Sequence, residues 1–116
     1  MSKTDVADII EPLVRHQVFP SVEEAARSLV LDRILREIDR YRGRIEALEK
    51  RHGMPFEQFS AYLKERSALL GDGHLDAAQK KKVAQAIMNE EEDWLDWKIA
   101  RDFLEAWLGL KGEAAG

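Results

Sequence analysis

FPSVEEAARSLV (residues 19–30) opens the part of the chain that decides the fold. Ser21 followed three residues later by Glu24 is the pattern of a capping box, in which each residue satisfies a free N–H group of the other. Pro20 cannot continue a preceding helix, so a turn separates this segment from what comes before it. The pattern predicts a new helix that starts at about residue 21.

Apolar side chains recur along this helix with steps that alternate between three and four residues. Such spacing forms a heptad seam, and its members are Leu31, Ile34, Ile38, Tyr41, Ile45 and Leu48. Gly53 is typical of a helix stop, which gives a long charged helix over about 21–52. The seam predicts a helical dimer. Packing against another helix of the same chain stays open, because three heptads are few and Gly43 weakens the helix by about 1 kcal/mol.

Charged side chains flank the seam at the heptad positions that face a parallel partner helix. In such a pair Glu37 would meet Arg42, and Arg44 would meet Glu49, each with opposite sign. A steeper crossing would bring other pairs together, so the direction of the partner helix stays open.

Three further helices are predicted around the long one, so the fold class is all-α with four helices. The first covers about 5–17, and Pro12 predicts either a start nearer Asp8 or a bend. A third helix runs to about residue 70. A long C-terminal helix covers about 76–108, because Gly109 is expected to stop it.

Length and composition limit the class of protein. A chain of 116 residues predicts one helical domain over 1–116, with a dimerisation region (1–53) and a C-terminal partner-binding region (54–110). The absence of cysteine excludes disulfides and thiolate metal sites, which suits a cytoplasmic protein. No apolar run reaches the roughly 18 residues of a membrane span, and no charged-then-apolar leader opens the chain. We therefore expect no membrane partner.

Catalytic and metal-binding patterns are missing from the sequence. The three histidines, His16, His52 and His74, have no ligand spacing between them. The serines have no strand-turn-helix setting, and Gly71 and Gly73 do not form a phosphate-binding loop. We expect no catalytic residues, no metal, no cofactor and no enzymatic activity.

Charge is distributed unevenly between the two long helices. Basic side chains outnumber acidic ones between Arg27 and Arg51, whereas acidic side chains outnumber basic ones between Asn89 and Glu105. All three tryptophans lie between Trp94 and Trp107. Tryptophan is a favoured anchor at protein interfaces. The predicted partner-binding residues are Trp94, Trp97, Phe103, Trp107, Glu91 and Asp93. Two other interpretations stay open: the tryptophans fill the core, and the two long helices pack on each other.

A family resemblance adds a function to this pattern. Residues 19–30 resemble the start of the second helix of ribbon-helix-helix antitoxins. The continuation to HGMPFEQF (52–59) and the acidic, Trp-rich segment 91–107 are similar to small proteins on the antitoxin side of bacterial and archaeal toxin–antitoxin pairs. The resemblance implies a cytoplasmic homodimer. Its C-terminal segment would bind and neutralise a toxin encoded nearby, often a ribonuclease.

Three functional hypotheses follow from these patterns. The first is an antitoxin-like protein-binding module, and the second is a DNA-binding autoregulator in which Arg15 and Arg27 touch phosphates. Only residues 1–4 precede the helical pattern, however, which is too short for the DNA-reading strand of a ribbon-helix-helix protein. The third hypothesis is a structural helical homo-oligomer whose tryptophans are inaccessible.

Overall fold

The computed structural model describes residues 5–71, 73 and 75–115, and within them the chain forms four α-helices and no strand. The helices are α1 (Val6–Arg15), α2 (Val22–His52), α3 (Phe56–Leu69) and α4 (Ala77–Ala115). The all-α, four-helix prediction is confirmed. None of these helices has a stretch both long and apolar enough to cross a bilayer. The predicted turn residue Asp72, together with His74 and residues 1–4, lies outside the described part of the chain.

Side-chain caps fix the starts of the two long helices. At α2, the backbone N–H of Glu24 donates to Ser21 Oγ at 3.1 Å. Ahead of α4, Gln79 N–H donates to Asp76 Oδ1 at 2.7 Å and Asp76 N–H donates to Gln79 Oε1 at 3.1 Å, which is a complete capping box. Gly53 ends α2 with φ +65°, a conformation that glycine adopts without steric cost.

The first helix ends in a left-handed turn made by a residue other than glycine. Gln17 has φ +63°. Its N–H donates to Val14 O at 3.0 Å, and Val18 N–H donates to Leu13 O at 2.8 Å. These two bonds form a Schellman motif, in which glycine usually occupies the left-handed position. Gln17 therefore adopts a backbone conformation that is sterically unfavourable for a residue with a Cβ atom.

The structure excludes one of the two alternatives given for the first helix and corrects the expected end of the last one. The first helix begins at Val6, capped by Asp5, rather than near Asp8, so Pro12 lies inside it. The last helix continues past Gly109 to Ala115. Glycine stops a helix by taking positive φ, and among the described glycines only Gly53 does so.

The chain divides into two compact units. Unit 1 comprises residues 5–39 and 106–115, and unit 2 comprises Arg40–Glu105. The buried hydrophobic residues described for unit 1 are Ile10, Ala25, Ile34 and Ile38. Its exposed large hydrophobic residues are more numerous, namely Val6, Ile9, Val18, Leu29, Val30, Leu35, Leu108 and Leu110. Unit 2 has the larger core, formed by Leu48, Phe59, Leu63, Ile87, Trp97 and Ala100.

Candidate protein-binding surface

An aromatic cluster occupies the core of unit 2. Trp97 and Phe59 are both 0% exposed, and their ring centroids lie 5.6 Å apart. His52 and Phe56 pack against the same two rings, at centroid distances of 4.1 Å from His52 to Phe59 and 5.5 Å from Phe56 to Trp97. Trp97 was a predicted partner-binding residue. Its ring is fully enclosed within its own chain and offers no surface to a partner.

Asp93, another predicted partner-binding residue, joins α4 to the end of α2. Its carboxylate accepts a hydrogen bond from His52 Nε2 at 2.8 Å and two from Arg51 Nη1 at 3.1 Å each. Because an ionised carboxylate only accepts hydrogen bonds, His52 must be the donor. Burial acts to raise the pKa of Asp93, but the hydrogen bonds from His52 and Arg51 outweigh it and lower that pKa below its usual value. Asp93 therefore serves to hold unit 2 together.

Trp94 is half-buried beside the same cluster and has a polar anchor. Its indole Nε1 donates to Ser60 Oγ at 2.7 Å, and Ser60 Oγ donates to Phe56 O at 2.9 Å. The Trp94 ring stacks on Phe56, with centroids 5.8 Å apart. Trp94 also lines a groove together with residues of α3.

The remaining predicted partner-binding residues are Glu91, Phe103 and Trp107. Glu91 is exposed, and Phe103 is 49% exposed while it stacks on Tyr41 at 5.4 Å between centroids. Trp107 is half-buried and belongs to unit 1. The structure thus brings Trp94, Trp97 and Asp93 together, and it places Glu91 and Phe103 on the outside of unit 2.

The heptad seam of α2 lies largely inside the chain. Ile34, Ile38 and Leu48 are buried, whereas Leu31, Tyr41 and Ile45 are half-buried. Arg44, which the heptad pattern pairs with Glu49 of a second chain, pairs instead with Asp96 of its own chain. These contacts agree with the internal-packing alternative for the buried part of the seam, while Leu31, Tyr41 and Ile45 keep part of their surface exposed.

An exposed apolar face on α4 contains one predicted partner-binding residue, Phe103, and three residues that were not predicted as part of the site. It comprises Met88, Leu95, Ile99 and Phe103, which are 41–57% exposed, and it is called the α4 stripe below. Spacings of seven, four and four residues place these side chains on one face of the helix. The sequence signal was present in that spacing. Tryptophan is a more frequent interface anchor than methionine or isoleucine, so residue type alone favours the tryptophans over this face.

A groove runs beside the α4 stripe, between α3 and α4. Its volume is about 540 Å³, and the residues that line it are Ser60, Leu63, Lys64, Ser67, Glu91, Trp94 and Leu95. Lys64 stands on the α3 side and Glu91 on the α4 side. Leu95 belongs to both the groove and the stripe, so the two surfaces are continuous.

The predicted phosphate contacts are engaged with acids. Arg15 pairs with Glu11 at 3.4 Å, and Arg27 pairs with Glu23 at 3.6 Å, each one helical turn away. All four side chains are at least half exposed, so these pairs contribute little to stability. The carboxylates of Glu11 and Glu23 nevertheless reduce the positive potential that would attract a phosphate group to Arg15 or Arg27.

A search of the described residues for metal sites and a comparison with known proteins both found nothing. Among residues 5–71, 73 and 75–115, no three His, Asp or Glu side chains converge as they would around a metal ion. The resemblance to antitoxins stays a prediction. Comparison of the chain with models of protein families, with characterised proteins and with solved structures gave no match.

Proposed function

We propose that this chain is a helical protein-binding module of antitoxin type, which binds a cationic partner protein through the outer face of α4. The observation that supports this proposal is the α4 stripe, whose four large apolar side chains stay 41–57% exposed while the neighbouring core is fully closed. Large apolar side chains that stay exposed on one face of a helix are typical of an interaction site. Unit 2 therefore has both a stable core and an apolar face that its own chain leaves uncovered.

The charge around the α4 stripe determines the class of partner. Glu91, Glu92 and Glu105 are exposed along the same part of α4. The other four acids between Asn89 and Glu105 pair with bases of the same chain. An acidic rim around an apolar patch speeds association with a basic surface and disfavours an acidic one. A toxin that binds RNA carries such a basic surface, since it must attract phosphates. Binding through the stripe would cover the surface that the toxin needs.

Co-expression with the product of the adjacent open reading frame tests this function. We expect the two proteins to copurify and the chain to restore growth that the partner impairs. Ile99→Asp places a charge in the stripe and should reduce capture and rescue at least tenfold, the scale of an interface hot spot. The control is Leu69→Asp, which makes the same change at an exposed position of α3 outside the stripe and the groove. Equal effects of the two changes, or no complex at all, would refute the proposal.

Self-association is a second candidate function, favoured by the exposed surface of unit 1. Unit 1 leaves eight large hydrophobic residues exposed, among them Val30 at 54% and Ile9 at 64%. We propose that a second copy of the chain covers part of this surface, in place of the seam that α2 buries internally. Sedimentation equilibrium should show a dimer that Val30→Asp weakens and Leu69→Asp does not. A monomer at every concentration would remove this candidate.

A further inference from the structure

We propose that the α3–α4 groove receives one amphipathic helix of the partner protein, with a basic side chain beside Glu91 and an acidic side chain beside Lys64. This inference rests on the proposed function and specifies the part of the partner that the chain recognises. The occupant is a helix in a groove, a common mode of peptide recognition.

The spacing of the lining residues indicates a helical occupant. On α3 the groove is lined by Ser60, Leu63, Lys64 and Ser67, with spacings of three, one and three residues. On α4 the lining continues through Glu91, Trp94 and Leu95, with the same alternation of near and far steps. These two rows line the groove, and the side-chain ridges of a third helix can pack into a groove between two helices. The α3 row extends over two helical turns, or about 10 Å.

The floor and the rims of the groove specify the chemistry of that helix. Leu63, Trp94 and Leu95 provide an apolar floor, against which leucine or similar side chains at i, i+3, i+4 and i+7 would pack. Trp94 is held in position by its hydrogen bond to Ser60, so the floor is formed before a partner arrives. Within the part of the chain that the structure describes, neither Lys64 nor Glu91 forms an ion pair, and both charges face the rim.

The rim charges give the docked helix a direction. A helix that carries bases along one flank and acids along the other satisfies both rims in one direction only. When it is turned end for end, Lys64 faces a base and Glu91 faces an acid, which is unfavourable at both places. Exposed ion pairs of this kind change affinity by about 1.5- to 5-fold each.

Synthetic amphipathic helical peptides test the groove without knowledge of the partner. Three peptides of about five turns share one leucine face and differ in their flanks: lysine on both, glutamate on both, or one of each. Binding to the full chain is measured by fluorescence anisotropy. Wild type should prefer the mixed peptide, Lys64→Glu should shift the preference about 1.5- to 5-fold towards the lysine peptide, and Glu91→Lys should shift it equally towards the glutamate peptide. Shifts are compared between variants, because the net charge, which is −4 in wild type, stays negative and favours the lysine peptide in all of them.

A blocking variant separates this proposal from the proposed function. Ser67→Trp fills the groove from an exposed position, and Gln58→Trp makes a similar change on the opposite side of α3. We expect Ser67→Trp to abolish mixed-peptide binding and to reduce capture of the partner, while Gln58→Trp changes neither. If Ile99→Asp prevents capture but Ser67→Trp does not, the proposed function stands and the groove proposal fails. Peptide binding insensitive to all these changes, or self-association that Ser67→Trp removes, would also overturn it.

Discussion

Replacement of Asp93 by asparagine should weaken unit 2 specifically, because Asp93 links α4 to the end of α2. The variant keeps the shape of the side chain and removes the charge that accepts hydrogen bonds from His52 and Arg51. A hydrogen bond to a charged group contributes about 1.5–3 kcal/mol, and the bond from His52 is largely shielded, with both side chains under 20% exposed. The Arg51 side chain is 63% exposed, so its pair adds only about 0.5 kcal/mol. Since asparagine retains one acceptor oxygen, we expect a loss of about 2 kcal/mol.

Urea unfolding followed by tryptophan fluorescence measures this loss. Trp94 and Trp97 report on unit 2, whereas Trp107 belongs to unit 1, so the measurement is made in a Trp107→Phe background. The free energy of unfolding is compared at pH 7, where Asp93 is ionised.

Asp102→Asn is the matched control for this experiment. Asp102 pairs with Lys98 at 3.1 Å on the surface, where the two side chains are 64% and 48% exposed. Its loss should cost less than about 0.5 kcal/mol. If Asp93→Asn costs no more than Asp102→Asn, the bonds from His52 and Arg51 do not stabilise unit 2, and our interpretation of Asp93 as a structural residue is wrong.

The same variant predicts a change in pH dependence. The folded structure lowers the pKa of Asp93 below its ordinary value of 3.8. A lowered carboxyl pKa stabilises the folded state at pH values above the unfolded pKa, and this contribution disappears as the pH falls through the folded pKa. Wild-type unit 2 should therefore lose stability below about pH 4. The difference between wild type and Asp93→Asn should shrink over that range, and a constant difference down to pH 2 would contradict this explanation.

Three further predictions concern packing and backbone conformation. Phe59→Ala should cost about 3–5 kcal/mol in urea unfolding, because the ring is fully buried among aromatic neighbours; a loss below about 1 kcal/mol would contradict that burial. Gln17→Gly should raise the free energy of unfolding by about 0.5–1 kcal/mol, since glycine adopts φ +63° without strain, and a destabilised variant would contradict the left-handed turn. In a chain whose only tryptophan is Trp97, with Trp94 and Trp107 replaced by phenylalanine, acrylamide should quench fluorescence weakly, because that ring is 0% exposed; quenching as fast as free indole would show that the core opens.

The start of a helix was predictable wherever an interaction between residues close in sequence determines it. The capping pairs Ser21 with Glu24 and Asp76 with Gln79 act over three residues, so their pattern alone locates the starts of α2 and α4. Gly109 shows the limit of this approach. Glycine permits a left-handed turn without requiring one, and the sequence does not reveal which of the two a given glycine adopts.

The packing partner of an apolar helix face was harder to predict than the face itself. The three-and-four spacing that includes Ile38 shows that one side of α2 is apolar, but the same spacing suits a second chain and a helix of the same chain equally. Likewise, Trp97 is of a residue type that often anchors interfaces, but it lies in the core of its own chain. The sequence does not show that the face of α4 that includes Ile99 is exposed. This becomes clear only when the three-dimensional structure shows which side of α4 packs against the core.

Calorimetric titration of the purified chain with the product of the adjacent gene tests the docking role of α4 most directly. We predict a complex whose affinity falls as salt rises, because acids rim the α4 stripe. Ile99→Asp should lower that affinity at least tenfold, because it places a charge in the exposed apolar stripe. An affinity that Ile99→Asp leaves unchanged, or the absence of any heat of binding with wild type, would contradict the proposal.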